Sequence, residues 1–357
     1  MKDLHGGNIY KFQREGKNNI LDYSSNINPL GVPQKFIDIA KENFDKLINY
    51  PDPYYIELRK KIAEFNSLNM DNIIVGNGAT EILFLYIRAL KPRKVLILAP
   101  CFAEYARALK SISTKIEYFE LKENDNFYPN IINLKKEIEN NNYDLLLLCN
   151  PNNPTGQFIK LEDIKEIIKT CENKNTKIFI DEAFIEFTEN WKEKTVSLLK
   201  NKNVFIMRAF TKFFAIPGLR LGYGLGFDED ILKKMWEEKE PWTVNTFANL
   251  AGLIMLDDKE YIKKSEKWIL EEKKFMYKKL SEFQYIKAYK TECNFILIKL
   301  TNISSESLRE KMIEKNILIR DASNFKFLDY HFVRVAIKDR ESNLKLLETL
   351  DTIMEYK

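Results

Sequence analysis

The sequence predicts an α/β protein, with a large domain on a mostly parallel sheet and a smaller α+β domain after it. Three observations carry this. Short continuous apolar runs recur through the central region. Helical patterns fall between them. Beyond Pro241 the alternation gives way to a long charged segment and a different set of strands. Strands that are apolar throughout are buried on both faces, as in a parallel sheet covered by helices on either side.

The elements follow in order. Asn72-Ile73-Ile74-Val75 reads as a strand and Thr80 to Leu90 as the helix after it. Val95 to Leu98, Leu145 to Leu148, Ile178 to Ile180 and Val204 to Met207 read as further strands, with a helical pattern at Leu161 to Cys171. From Asp258 to Phe283 the residues Tyr261, Trp268 and Phe275 recur at heptad spacing, with Ile262, Ile269 and Met276 beside them. That is one apolar helical face, suited to core packing. Phe295 to Leu300, Ile317 to Arg320 and Phe332 to Ile337 read as strands. The expected division is an N-terminal arm and part of the small domain at 1–45, the large domain at 46–245 and the small C-terminal domain at 246–357.

Composition narrows the function. The chain has 357 residues, 56 Lys and Arg against 52 Asp and Glu, and a net charge of +4. That balance argues neither for nucleic acid nor for a membrane surface. The polar segment Met1 to Tyr10 is no signal peptide, and no apolar run approaches the ~20 residues of a membrane helix. Cys101, Cys149, Cys171 and Cys293 form no CxxC pair, which suits reduced thiols in a cytoplasmic protein. With His5 and His331 the only histidines, no metal site is expected.

The unusual residues cluster just after the expected strands, where ligands bind in such sheets. Gly76-Asn77-Gly78-Ala79-Thr80 joins a strand to a helix, so its amides and the Thr80 hydroxyl could hold a phosphate, or form only a capped turn. Asn150-Pro151-Asn152-Asn153-Pro154-Thr155-Gly156 follows the next motif-bearing strand. Asp181-Glu182-Ala183-Phe184 follows another. A buried carboxylate at a strand end needs a partner, and a cationic ring nitrogen, a helix cap or an ion pair would each serve. Lys212 lies in Thr211-Lys212-Phe213-Phe214-Ala215-Ile216-Pro217-Gly218-Leu219-Arg220. Desolvation there would lower its pKa and make it a better nucleophile.

Taken together and in this order, GNGATE, NPNNPTG, DEAF and the lysine–arginine segment resemble the pyridoxal-phosphate (PLP) dependent aminotransferase family of fold type I, from about Asp22 to Arg340. The flanking segments His5-Gly6-Gly7-Asn8, Ser24 to Gly31, Tyr50-Pro51-Asp52-Pro53, Pro100 to Tyr105 and Leu318 to Phe325 resemble the threonine-phosphate decarboxylase branch, which acts in cobalamin biosynthesis. Histidinol-phosphate aminotransferases are the neighbouring branch. They typically carry DEAY where this chain has Phe184.

The resemblance implies roles. Lys212 carries the cofactor as a Schiff base and moves protons at the substrate Cα, while Asp181 pairs with the ring nitrogen. Asn153 bonds the cofactor's phenolic oxygen, and Phe102 stacks on the ring. Gly78, Ala79, Thr80 and Arg220 hold the phosphate, joined by Tyr50 of a second subunit, which implies a homodimer. Serine or threonine usually stands where this chain has Ala209, so Thr211 is the candidate replacement donor. Arg334 grips the substrate carboxylate. Asn26, Gly31 and Asn153 complete the substrate site, and His5, Arg320 and Lys326 are candidates for a second anion.

Those roles imply decarboxylation of O-phospho-L-threonine. The alternatives are an aminotransferase acting on histidinol phosphate or another amino acid, and an O-phosphoserine decarboxylase. A regulator's effector-binding module is a further class. No DNA-binding segment accompanies the expected fold, and Lys212, Asp181 and Arg220 are present, so an enzyme is the expectation.

Overall fold

The strands alternate their side chains between two apolar cores, one on each sheet face. Ile73 and Val75 join one core while Ile74 joins the other, and Leu146 and Leu148 face away from Leu145 and Leu147 in the same way. This two-sided burial is why the runs are continuously apolar. The protein is represented by a computed structural model, which describes residues 6–355.

The strands are β1 (Leu21–Asp22), β2 (Ile73–Asn77), β3 (Lys94–Ala99), β4 (Lys115–Glu120), β5 (Leu145–Cys149), β6 (Lys177–Asp181) and β7 (Val204–Ala209). They continue with β8 (Leu221–Gly226), β9 (Ile286–Ala288), β10 (Phe295–Leu300), β11 (Ile317–Leu318), β12 (Arg320–Asp321) and β13 (Phe332–Ala336). The large sheet has seven strands in the order β2-β8-β7-β6-β5-β3-β4. It is parallel except for β8, which runs antiparallel to both β2 and β7.

Two strands of this large sheet have no counterpart among the apolar runs of the sequence. β8 is Leu-Gly-Tyr-Gly-Leu-Gly, and glycine lacks strand propensity. Here the glycines serve close packing: a Cβ on Gly222 would collide with the Ala79 backbone, and one on Gly224 with the Phe205 ring. β4 is an edge strand of half-buried residues, so it carries no continuous apolar run.

A second, four-stranded antiparallel sheet has the order β12-β13-β10-β9, and β1 pairs in parallel with β11. The single strand expected over Ile317 to Arg320 is therefore two short strands in different sheets. The long helix Lys259–Leu280 buries Tyr261, Trp268, Ile269 and Met276, as its heptad-spaced face requires. Among the described residues, no helix is long and apolar enough to cross a membrane.

Candidate active site

β2, β5, β6 and β7 point the same way, so their carboxyl ends meet along one edge of the large sheet. After β2, Gly78 takes φ +77° and starts the helix Ala79–Leu90. The first amides of a helix have no partner within it and form its positive end. A Cβ on Gly78 would run into the Arg220 guanidinium. Glycines at 78 and 222 thus let Arg220, the helix start and β8 approach closely, forming one cradle of donors open to an anion.

Asp181 ends β6 and is buried. Its Oδ2 accepts a hydrogen bond from the Tyr105 hydroxyl at 2.6 Å, and its Oδ1 accepts one from the Ala183 amide at 2.8 Å. Burial pushes the carboxyl up to about 6, although both hydrogen bonds favour the anion. Lys212 sits on the short helix Phe210–Phe213 that follows β7. Burial, then the charges of Arg334 and Arg220, bring its amine down to about 8, with Asp181 opposing. Thr80, Phe102, Asn153, Asp181, Lys212 and Arg220 all border one cavity of about 250 Å³.

The facing wall comes from the four-stranded sheet. Arg320 of β12 lies opposite Arg334 of β13, and both border the cavity. Arg334 donates from Nη1 to Asn153 Oδ1 at 2.5 Å and from Nη2 to the Ser24 carbonyl at 2.8 Å. Its Nε is buried without a partner among the described residues, as is Asn26 Oδ1. Burial, then Arg320, brings Arg334 down to about 9. Arg320 donates to Asn324 Oδ1 at 2.7 Å and to the Asp321 carbonyl, with its guanidinium over the Phe325 ring.

The remaining candidates fall in different places. Ala209, Thr211 and Phe184 border the cavity. Gly31 is not among the bordering residues; its carbonyl accepts a hydrogen bond from Tyr261, which gives it a structural task. Lys326 packs over the Tyr118 and Phe327 rings instead of entering the cavity. His331 pairs with Asp329. Tyr50 is 80% exposed and packs against Trp242, outside the cavity of its own chain. His5 lies outside the described residues. Tyr105, Cys149 and Ser24 are site residues that the motifs do not single out. Tyr105 carries one sequence signal, its spacing of three residues from Phe102 at a helix start.

The cavity offers a deep carboxylate, a lysine with a weakened hold on its proton and a separate anion cradle. Those are complementary to a cationic ring nitrogen, an aldehyde and a phosphate. Residues 18–350 match the model of the family described as aminotransferase class I and II.

The chain belongs to that family.

It is a PLP-dependent enzyme. It is 44% identical over 353 residues, covering 98% of this chain and 94% of the relative, to a Caldanaerobacter subterraneus protein provisionally named a threonine-phosphate decarboxylase. It is 33% identical, covering 98% of this chain and 96% of the relative, to the threonine-phosphate decarboxylase of Salmonella typhimurium. Among solved structures, the histidinol-phosphate aminotransferase of Clostridium acetobutylicum superposes with a TM-score of 0.88 at 38% identity, covering 94% of this chain and 99% of that one. The fold is thus that of fold type I PLP enzymes. No cluster of metal-binding side chains occurs among the described residues.

Proposed function

We propose that this enzyme decarboxylates O-phospho-L-threonine to 1-aminopropan-2-ol phosphate, the step that serves cobalamin biosynthesis. The observation that carries the reading is the buried Arg320–Arg334 pair on one wall of the PLP cavity. A substrate with a carboxylate at one end and a phosphate at the other would satisfy both guanidinium groups. Planar guanidinium forks suit both anions. The names of the Caldanaerobacter and Salmonella relatives support the same chemistry.

PLP, when bound, supplies an electron sink for the pair left on the substrate Cα. The chain's own residues do the rest. Asp181 faces the ring nitrogen as an anion and keeps it protonated. Thr80, Arg220 and the amides of Ala79 and Thr80, set by Gly78, hold the phosphate, with Thr211 nearby. Phe102 covers the ring, and Asn153 offers its amide N–H groups while its oxygen is held by Arg334. Lys212 binds the cofactor and delivers a proton to Cα. Arg334 fixes the substrate carboxylate, with Asn26 beside it, and Arg320 with His5 takes the substrate phosphate.

A histidinol-phosphate aminotransferase is the second reading, favoured by the close structural neighbour of that name. An O-phosphoserine decarboxylase differs by one methyl group, a distinction worth only ~1–3 kcal/mol in a pocket. The assay that separates them offers purified enzyme each of the three phosphorylated substrates, with and without a keto acid, and identifies the products.

The active unit is a homodimer in this proposal. Phe44, Leu47, Ile48, Tyr50 and Tyr54 form an exposed apolar run in one segment, and Trp242 joins it through Tyr50. A second copy covering that face would bring Tyr50 to its neighbour's phosphate cradle. Residues 46–245 form the large domain, and 1–45 with 246–357 supply the arm and small domain.

A further inference from the structure

Tyr105 is fully buried, yet it is neither packing filler nor one of the residues assigned above to cofactor or substrate. It sits at the start of the helix Glu104–Lys110, three residues after Phe102, and its amide bonds to the Phe102 carbonyl at 3.4 Å. The two rings meet edge to face with centroids 5.8 Å apart. At its other end the hydroxyl donates to Asp181 Oδ2 at 2.6 Å. One side chain thus braces the ring-covering phenylalanine and the carboxylate on β6. A phenol buried beside a carboxylate keeps its own proton, and burial first and Asp181 second push the Tyr105 hydroxyl well up. It is therefore a fixed donor at every working pH.

We propose that Tyr105 is a positioning residue that keeps Asp181 ionised and aims it at the PLP ring nitrogen. This rests on the reading of Asp181 as the ring-nitrogen partner. A buried carboxylate is costly unless hydrogen-bonded. Asp181 receives one donor on each oxygen, which leaves lone pairs on both for a cation. Removing the hydroxyl would leave Ala183 as the only donor bonded to it. The carboxyl would then hold its proton to higher pH, and a neutral acid gives a ring cation nothing to pair with. The Cys149 thiol also borders the cavity and is bonded to the Pro151 carbonyl at 3.2 Å; burial first and the Asp181 charge second hold its proton on, so it stays neutral beside the carboxylate.

The test measures the dissociation constant of PLP from the apoenzyme as a function of pH, by equilibrium dialysis, in wild type, Tyr105→Phe and Asp181→Asn. It also follows the pH dependence of the bound cofactor's visible spectrum. In wild type, binding should strengthen as Asp181 ionises near pH 6. In Tyr105→Phe that transition should move up by about 1–2 pH units, the shift equivalent to losing one hydrogen bond to a charged group. PLP binding at pH 6 should weaken by about 5- to 50-fold, as the ionised fraction of Asp181 falls. Asp181→Asn should remove the part of the transition that exceeds the titration of the cofactor's own phosphate. An unshifted transition in a folded Tyr105→Phe protein overturns the proposal for Tyr105. The cofactor phosphate titrates in every variant alike, so an Asp181→Asn profile identical to that of wild type overturns the reading of Asp181 itself, and the two failures are distinct.

Discussion

Arg320 and Arg334 stand directly opposite each other on the antiparallel strands β12 and β13, and both are buried. Like charges in that position destabilise a sheet, and burial first and the Arg320 charge second lower the proton affinity of Arg334. The proposed substrate, with its two anionic groups, would relieve that repulsion. Arg320→Ala should raise KM for O-phosphothreonine by an amount equivalent to ~2–5 kcal/mol, the cost of unpairing a buried charge. The spectrum of bound PLP should barely change. Steady-state kinetics on O-phosphothreonine and plain threonine check this. Equal use of the two substrates by the wild type would contradict the assignment.

Gly78 is required twice, by its φ of +77° and by the Arg220 guanidinium that a Cβ would strike. Gly78→Ala should displace Arg220 and weaken PLP binding. Backbone strain alone costs about 1–3 kcal/mol of fold stability, and the displaced guanidinium weakens PLP binding in addition. Equilibrium dialysis of PLP against the variant apoenzyme measures it, and wild-type affinity would show that the cradle tolerates a side chain.

Lys212 has its amine brought down to about 8 from 10.5. Only the neutral amine attacks an aldehyde. The rate at which apoenzyme captures PLP should therefore climb as pH rises to about 8 and then level, well below the range of an ordinary lysine. Stopped-flow absorbance gives that profile. Borohydride reduction and peptide mapping should find the label on Lys212, and Lys212→Ala should lose both the label and turnover.

Tyr50 should act on the neighbouring subunit. Light scattering at assay concentration should report a dimer. Mixing inactive Lys212→Ala subunits with Tyr50→Phe subunits should give heterodimers with one site lacking both residues and one site intact. Activity above that of either parent is the expected result, and simple averaging of the parents would place Tyr50 outside the shared site.

Much of the sheet and of the cavity is legible in the amino-acid sequence. Strands buried on both faces leave continuous apolar runs, so β2, β3, β5, β6 and β7 are visible there, and the residues at the ends of four of them include Ala79, Asn153, Asp181 and Lys212. β8 is hidden because its glycines serve close approach to Ala79 and Phe205, a need that only the folded neighbours create. The split between β11 and β12 is equally hidden, since a two-residue strand has no periodicity to read. In sequence, Tyr105 shows only its place in the Pro100 to Tyr105 segment and its three-residue spacing from Phe102. Its function depends on Asp181, 76 residues away along the chain, and no local pattern encodes that distance.

The proposed chemistry is cleavage of the Cα–carboxylate bond of a phosphorylated amino acid in this cavity. The most direct measurement supplies O-phospho-L-threonine with an isotopically labelled carboxyl group to the PLP-loaded enzyme, with no keto acid present, and traps the gas released. Labelled carbon dioxide should appear in equal amount to 1-aminopropan-2-ol phosphate, over many turnovers per active site. Retention of the carboxyl label, with turnover only when a keto acid is added and histidinol phosphate is the amino donor, would contradict it.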